Sequence, residues 1–375
     1  MTSFNRLSPI AAFLIVIRCV WLVTLFAVRA YCQDSESVAA RVDEFVRGEM
    51  LAQHIPGLCL AVSTNGTIDL VKGYGLANVE QQVPVKPETV FQSGSLGKQF
   101  TATAIMMLVE KGQISLEDPI SKHLPNVPES WGKITVRHLL THTSGLGGYP
   151  PDFDFRRDYT DDELLTRLAA SPLAFQPGEK WSYSNVGYVT LGMLITKVTG
   201  HFYGEFLKER IFTPLGMSAR IISEADIVTN RAAGYRLVNS ELKNQEWVSP
   251  TMTSTADGSL YLTALDLAKW DAALYTDRLL SKASFKQMWT PVVLNDGKKH
   301  PYGFGWFVVK VRGHRLLHDS GSRQGFQCGI QRYADDKLTI MAFANLAPSN
   351  LLKIIRGVAA LYNSDLKPEQ VKRGD

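Results

Sequence analysis

The sequence is poor in cysteine and carries no concentrated positive charge. Only four of its 375 residues are cysteines, and no cysteine–histidine spacing resembles a zinc site. Cys59 and Cys328 lie inside apolar, strand-like runs, and we expect them to be buried small hydrophobes rather than a disulfide. The formal net charge is +4, but removing the three arginines of residues 1–30, a segment without acids, reduces +4 to +1. A nucleic-acid-binding protein would show a concentrated basic face, so no nucleic-acid partner is expected.

The chain also lacks internal repeats, interdomain linkers and histidine clusters. Four histidines have no acidic or histidine neighbour at ligand spacing, and we interpret them as structural or solvated: His138, His142, His201 and His314. The charged fraction is 20%, which is ordinary for a folded protein. Since 45% of the residues are apolar, the chain is long and hydrophobic enough to bury a large core.

What the sequence does contain begins with an apolar N-terminal segment. Residues 9–30 are almost wholly apolar, follow Arg6 and precede a polar stretch, which predicts a secretory signal (residues 1–30) with a weak cleavage site at its end. An uncleaved anchor helix is the alternative, because the run can span a bilayer, although Arg18 in its middle disfavours a span. A lipid anchor on Cys32 fits less well. In the cleaved and anchored cases Arg6 stays cytoplasmic, so we expect a secreted or periplasmic protein that meets the membrane only through this segment.

The order of periodic segments predicts an α/β chain of the α+β type. A helix near residues 37–53 precedes two strands joined at Asn65-Gly66, a strong hairpin signal. Residues 113–255 are mainly helical in pattern, the last third returns to strands, and Leu351–Tyr362 is a closing helix. These features predict an antiparallel sheet flanked by terminal helices, together with a helical subdomain.

We therefore divide the chain into a signal or anchor segment, a domain over 38–362 and a polar tail over 363–375. Within the domain the sheet subdomain covers about 38–92 and 256–362, and the helical subdomain covers about 93–255. A functional site is expected where the two meet.

Ser95 lies in the first turn of an amphipathic helix that starts near Leu96 and ends at Gly112. Lys98 follows three residues later, on the same face of the helix. A hydroxyl with an amine beside it at a helix start can form an activated nucleophile. The spacing alone is weak, because Ser-x-x-Lys also begins at Ser130, Ser240 and Ser364.

Tyr183-Ser184-Asn185 contains the only Tyr-x-Asn of the chain. A phenol near Lys98 would lose its proton more readily and could relay protons to and from Ser95. The amide of Asn185 offers donors and an acceptor for a substrate amide and for Lys98. The alternative is a tyrosine and an asparagine that satisfy a loop beside a buried helix.

A third polar segment, residues 317–326, ends one strand and turns into the next. A glycine here lets a substrate backbone approach the strand edge. The N–H of Gly321 or Ser322 could form an oxyanion hole with the N–H of Ser95. The alternative is a polar hairpin turn.

In this order, the three segments resemble the motifs of the penicillin-recognising serine hydrolases, the family of class C β-lactamases, DD-carboxypeptidases and related esterases. The similarity runs from about Val38 to Tyr362. It also includes Ile55-Pro56-Gly57, Leu139-Leu140-Thr141-His142-Thr143-Ser144-Gly145-Leu146, Pro177-Gly178 and Pro214-Leu215-Gly216-Met217.

The resemblance implies a β-lactamase/transpeptidase-like fold and hydrolysis through an acyl-enzyme on Ser95. Lys98 and Tyr183 would handle protons, and Asn185 would hold the substrate. The expected partner is a small-molecule or peptide substrate: a β-lactam, a D-amino-acid peptide or an ester. No metal or cofactor is expected, and the oligomeric state is left open. A binding sensor or pseudoenzyme with little or no turnover is the alternative function.

One position departs from the family pattern, in which Lys or His comes two residues before the glycine of the third motif. Here Asp319 stands at that place and His318 falls one residue early. A shift of one residue along a strand moves a side chain to the other face. Either a local bulge returns His318 to the site or Asp319 lines it. A carboxylate would repel the carboxylate that β-lactams and D-Ala-D-Ala peptides carry, which favours an esterase or amidase acting on neutral substrates.

Overall fold

The computed structural model describes residues 37–221 and 226–367. The predicted signal or anchor segment, Cys32 and the tail beyond residue 367 lie outside the described residues. The chain divides into two units, residues 1–44 and 45–375. The described part of the first unit is the start of one helix, and the second holds all other elements. No helix among the described residues is both long and apolar enough to cross a membrane.

Several of the helices begin with a side-chain N-cap. Thr135 begins one as part of a capping box, in which its hydroxyl accepts the N–H of His138 while the His138 ring accepts the N–H of Thr135. The α-helices are α1 (Val38–Ala52), α2 (Lys98–Glu110), α3 (Val136–Leu140), α4 (Asp161–Ala169), α5 (Asn185–Thr199), α6 (Tyr203–Leu207), α7 (Thr213–Leu215), α8 (Ala264–Ala273), α9 (Lys282–Met288) and α10 (Leu351–Tyr362).

The largest sheet joins strands from both ends of the second unit. The strands are β1 (Gly57–Thr64), β2 (Thr67–Asn78), β3 (Val83–Pro84), β4 (Phe91–Gln92), β5 (Arg220–Ile221), β6 (Tyr235–Val238), β7 (Glu241–Asn244), β8 (Leu260–Leu262), β9 (Val292–Val293), β10 (Lys299–His300), β11 (Phe307–Val311), β12 (His314–Arg323), β13 (Phe326–Tyr333) and β14 (Leu338–Ala344). Seven of them form an antiparallel sheet in the order β11-β12-β13-β14-β1-β2-β3. The predicted fold class is confirmed.

The two faces of this sheet are covered by different helices. Helix α10 packs on one face, where a side chain at Gly329 would press against Ile355. The opposite face joins the main core with α2 and α5, through Cys59, Ala61, Leu317, Cys328, Ile330, Met341 and Phe343. Both of these cysteines are buried and free, as predicted. Because side chains alternate along a strand, each residue of β12 belongs to one face or the other.

Two local predictions need correction. The polar segment after Leu317 is not a turn, because β12 continues to Arg323 and only Gln324 and Gly325 connect it to β13. The helical region also contains the hairpin β6–β7, which the sequence did not indicate. Its turn residues Asn239 and Ser240 have φ of 52° and 64°, and a serine in the left-handed region is a poor sequence signal because glycine is the usual residue there.

Candidate active site

Ser95 is the accessible point of an otherwise buried segment. Strand β4 leads into a 3₁₀ turn over Gly94–Gly97, and α2 follows directly. Between residues 89 and 108, all described, Ser95 alone is not buried. Gly94 has φ of 52°, and a Cβ there would lie 2.5 Å from the backbone nitrogen of Ser322. A glycine is therefore required where the turn meets β12.

Lys98 is fully buried beneath Ser95. Its Nζ lies 3.1 Å from Ser95 Oγ and 2.8 Å from Asn185 Oδ1, and it also contacts the backbone oxygen of Asp257. Burial lowers the pKa of Lys98 to about 8, and the nearby charge of Arg323 acts in the same direction. A neutral lysine has two N–H donors and one lone pair. It can therefore donate to Asn185 and Asp257 while it accepts the proton of the Ser95 hydroxyl.

Tyr183 lies on the open side of Ser95. Its hydroxyl donates to Ser95 Oγ at 2.6 Å, while 37% of the residue is exposed. Burial of the phenol and the nearby Asp319 raise the pKa of Tyr183 well above its usual value. The expectation that Lys98 makes this phenol easier to deprotonate is thus not met. In the resting site Tyr183 is a protonated donor to Ser95.

Asn185 begins α5, and the residue before it fixes that start. The hydroxyl of Ser184 accepts the N–H of Gly187 and donates to the backbone oxygen of Gly147. This N-cap fixes the backbone between Tyr183, the last residue before the cap, and Asn185, the first residue of the helix. The structure therefore brings together Ser95, Lys98, Tyr183 and Asn185, the residues of the first two predicted segments.

The third segment places Asp319 toward the site and His318 away from it. The Asp319 carboxyl is buried and lies near Lys98, Tyr183 and Tyr302. His318 stacks on Phe307 with ring centroids 5.2 Å apart. Burial and Arg356, a residue of α10, lower the pKa of His318 to about 4. No bulge interrupts the β12–β13 register, so the prediction that His318 contributes to the site is corrected.

At Gly321, strand β12 packs against the 3₁₀ turn that carries Ser95. A Cβ at this position would lie 1.9 Å from the backbone oxygen of Ser93 and 2.8 Å from the nitrogen of Ser95. The side chain of Ser322 is exposed, and its backbone lies against Gly94. The N–H groups of this strand and of Ser95 are thus neighbours, which is the placement that an oxyanion hole built from them requires.

Sequence reasoning missed the charged pair Asp257 and Arg323. Besides its backbone contact with Lys98, Asp257 accepts a hydrogen bond from Thr255 at 2.6 Å and lies 3.5 Å from Arg323 Nη1. Both side chains are largely buried, at 3% and 16% exposure. Arg323 was inside the third segment, four residues after Asp319 and hence on the same face. Its partner could not be identified because it lies 66 residues away in the chain.

These features together define a class of serine hydrolases. The class combines an antiparallel sheet with a Ser-x-x-Lys helix at its face, a Tyr-x-Asn loop opposite the helix, and a strand whose glycine lies beside the nucleophile. The class is that of β-lactamases and penicillin-binding proteins.

Comparison with known proteins agrees with this class. The Beta-lactamase family model matches residues 39–361, so the chain belongs to the Beta-lactamase family. Penicillin-binding protein 4* of Bacillus subtilis is 32% identical over 308 residues, which are 75% of this chain and 68% of that protein. The putative penicillin-binding protein PbpX of the same organism is 33% identical, over 65% of this chain and 60% of its own length.

A solved structure shares the fold at similar identity. The octameric penicillin-binding protein homologue from Pyrococcus abyssi has a TM-score of 0.77 and 30% identity, covering 86% of this chain and 77% of that one. The two Bacillus subtilis relatives are longer than the matched region, and this chain spans 68% and 60% of their lengths.

Proposed function

We propose that the chain hydrolyses esters or amides that present no carboxylate to β12, through an acyl-enzyme on Ser95. The observation that carries this proposal is Asp319, buried at the site where the family pattern has a lysine or histidine. Whether protonated or ionised, its carboxyl supplies no positive charge for a substrate carboxylate, and the ionised form repels one. The charge of Arg323 is engaged by Asp257.

The hydrogen bonds around Ser95 support a two-stage reaction. Ser95 Oγ attacks the acyl carbonyl as its proton passes to the neutral amine of Lys98. The tetrahedral oxyanion is held by backbone N–H groups of Ser95 and β12. The C–O or C–N bond to the leaving group breaks, and the leaving atom takes a proton from Tyr183. Tyr183 then regains a proton from Lys98, which had taken it from Ser95. Water then attacks acyl-Ser95 and the protons move in the reverse direction. The water gives a proton to Tyr183, Ser95 regains one from Lys98, and the acid is released.

The proposal is tested with a chromogenic short-chain ester and a labelled penicillin. We expect ester turnover in the wild type, none in Ser95→Ala, and little penicillin labelling. In Asp319→Lys, penicillin labelling relative to ester turnover should rise tenfold or more, since tenfold requires only about 1.4 kcal/mol. Asp319→Asn, which removes the carboxylate without adding a cation, is the matched control and should rise less.

Two outcomes would contradict the proposal. Rapid penicillin labelling of the wild type without ester turnover would support a β-lactam-binding sensor. The absence of Ser95-dependent reaction with either probe would favour a pseudoenzyme.

We also propose that the chain works outside the inner membrane, as a secreted or periplasmic protein, on the basis of its N-terminal sequence. Fractionation of cells that express the full chain tests this. Recovery of the protein in the cytoplasmic fraction with residues 1–30 intact would refute it.

A further inference from the structure

His142 is a buried residue next to the site that the proposed reaction does not use. It follows α3 and has φ of 58°, in the left-handed region, where histidine is among the non-glycine residues that occur more often than average. Its ring lies among aromatic rings, with centroids 4.4 Å from Tyr183, 5.1 Å from Tyr188 and 4.8 Å from Tyr302. Because the ring is buried, its two nitrogens need hydrogen-bond partners inside the protein.

The contacts of His142 hold the chain on both sides of Tyr183. Its backbone oxygen accepts the N–H of Ser182 at 2.9 Å. Its ring Nδ1 lies 3.1 Å from the backbone nitrogen of Ser184. The residues before and after Tyr183 are thus bonded to the same histidine, while its ring packs against the Tyr183 ring.

These partners determine the tautomer of His142. A backbone N–H can only donate, so Nδ1 must accept and the ring proton must lie on Nε2. Nε2 is 3.1 Å from Tyr302 Oη and donates to it. The ring is therefore neutral, in agreement with burial and the nearby Lys98 charge, both of which hold the pKa of His142 well below its usual range.

We propose that His142 is the positioning residue that holds the Tyr183 hydroxyl on Ser95. It acts through the bond from Nδ1 to the Ser184 N–H and through the contact between the two rings. His142 does not touch the reacting atoms. The inference rests on the proposed function for its kinetic consequence, but its geometry stands on the contacts alone.

A double-mutant cycle tests the inference on the full chain with the chromogenic ester. His142→Gln reaches toward Tyr302 but leaves the Ser184 N–H unpaired, and we expect kcat to fall tenfold to a hundredfold with KM within about twofold. His142→Asn, whose amide oxygen can replace Nδ1, should recover most of this loss. In a Tyr183→Phe background, His142→Gln should cause no further loss, because the hydroxyl it positions is already gone.

His138→Gln is the matched control, since His138 lies in α3 and contributes to its capping box. Because glutamine is a usual third residue of a capping box, this change should leave both thermal stability and kcat close to the wild-type values. Equal losses from His142→Gln in the wild-type and Tyr183→Phe backgrounds would overturn the proposal, because a merely structural defect would act on both.

A crystal structure of the same variant gives a readout that does not need turnover. In His142→Gln the distance from Tyr183 Oη to Ser95 Oγ should increase from 2.6 Å. An unchanged distance would overturn the inference, even if the wild type proved inactive on the ester and the proposed function failed. If His142→Gln does not fold, His142→Asn is crystallised instead, and displacement of Tyr183 despite a retained bond to Ser184 would count against the proposal.

Discussion

At the scale of single residues, four ionisable side chains surround Ser95. Lys98 and Arg323 are cationic groups, while Asp257 and Asp319 are carboxyl groups, and all four are largely buried. Asp257 and Asp319 act to raise the pKa of Lys98, whereas burial and Arg323 lower it. Burial has the largest effect, so the pKa of the amine, about 8, lies close to neutral pH, which suits a general base.

The pH dependence of activity should follow this amine. A neutral Lys98 is required to accept the Ser95 proton, so kcat/KM should rise with pH through an apparent pKa near 8. Because Lys98 and Asp319 interact, this titration belongs to the pair. Asp319→Asn removes a negative charge that raises the pKa of Lys98, so the profile should move to lower pH. Stopped-flow ester assays between pH 5.5 and 9.5 measure it, and a shift to higher pH would contradict the assignment.

The Tyr183 hydroxyl offers a second residue-level test. Tyr183→Phe removes the 2.6 Å hydrogen bond to Ser95 and the proton donor to the leaving group. Loss of general acid–base catalysis should lower kcat by about 10²–10⁴-fold. Since 37% of the residue is exposed, the variant should keep its fold, which circular dichroism can check. A rate within a factor of three of the wild type would rule out the proton-relay role.

At the scale of elements, β12 sets the site through its close approach to the Ser95 turn. A methyl group at Gly321 has no room, since it would meet Ser93 and Ser95 backbone atoms within 2.8 Å. Gly321→Ala should push the strand away and reduce ester turnover by more than a hundredfold. Gly48→Ala is the control, because nothing lies within 4 Å of its Cβ position and it lies within α1. That change should raise stability by about 0.5–1 kcal/mol and leave turnover unchanged. Equal turnover of the two variants would refute the strand's role.

Local sequence patterns predict individual helices and hairpins, but they do not predict how strands and distant residues are placed against one another. Periodicity and capping were enough for α10, for the helix after Ser95 and for the hairpin at Asn65-Gly66, where both turn residues have positive φ. The order of the three segments and its resemblance to a known family, rather than any one local pattern, pointed to Ser95, Lys98, Tyr183 and Asn185, which the structure brings together. They left His318 and Asp319 undecided, because only the register of β12 against β13 decides which face a residue occupies. Asp257 and His142 were missed as site residues because their partners are distant in the chain.

At the scale of the whole second unit, a buried ion pair joins the seven-stranded sheet to helix α8. Arg332 of β13 donates through Nε to Asp271 of α8 at 3.0 Å, and Thr339 of β14 donates to the same carboxylate oxygen. Arg332 also lies 4.0 Å above the ring of Tyr275. Burial raises the pKa of Asp271 even with Arg332 beside it, and a buried charge without its partner is costly.

Arg332→Leu should therefore destabilise the fold by about 3–5 kcal/mol, because it leaves the Asp271 carboxylate buried without its cation. Urea unfolding followed by circular dichroism measures the free energy. The control is Arg156→Leu, whose ion pair with Glu246 is exposed and should contribute about 0.2–1 kcal/mol. Adding Asp271→Leu to Arg332→Leu should recover at least half of the loss, since two apolar side chains leave no orphaned charge. If the double variant is instead less stable than Arg332→Leu alone, lost packing rather than an unpaired carboxylate explains the effect.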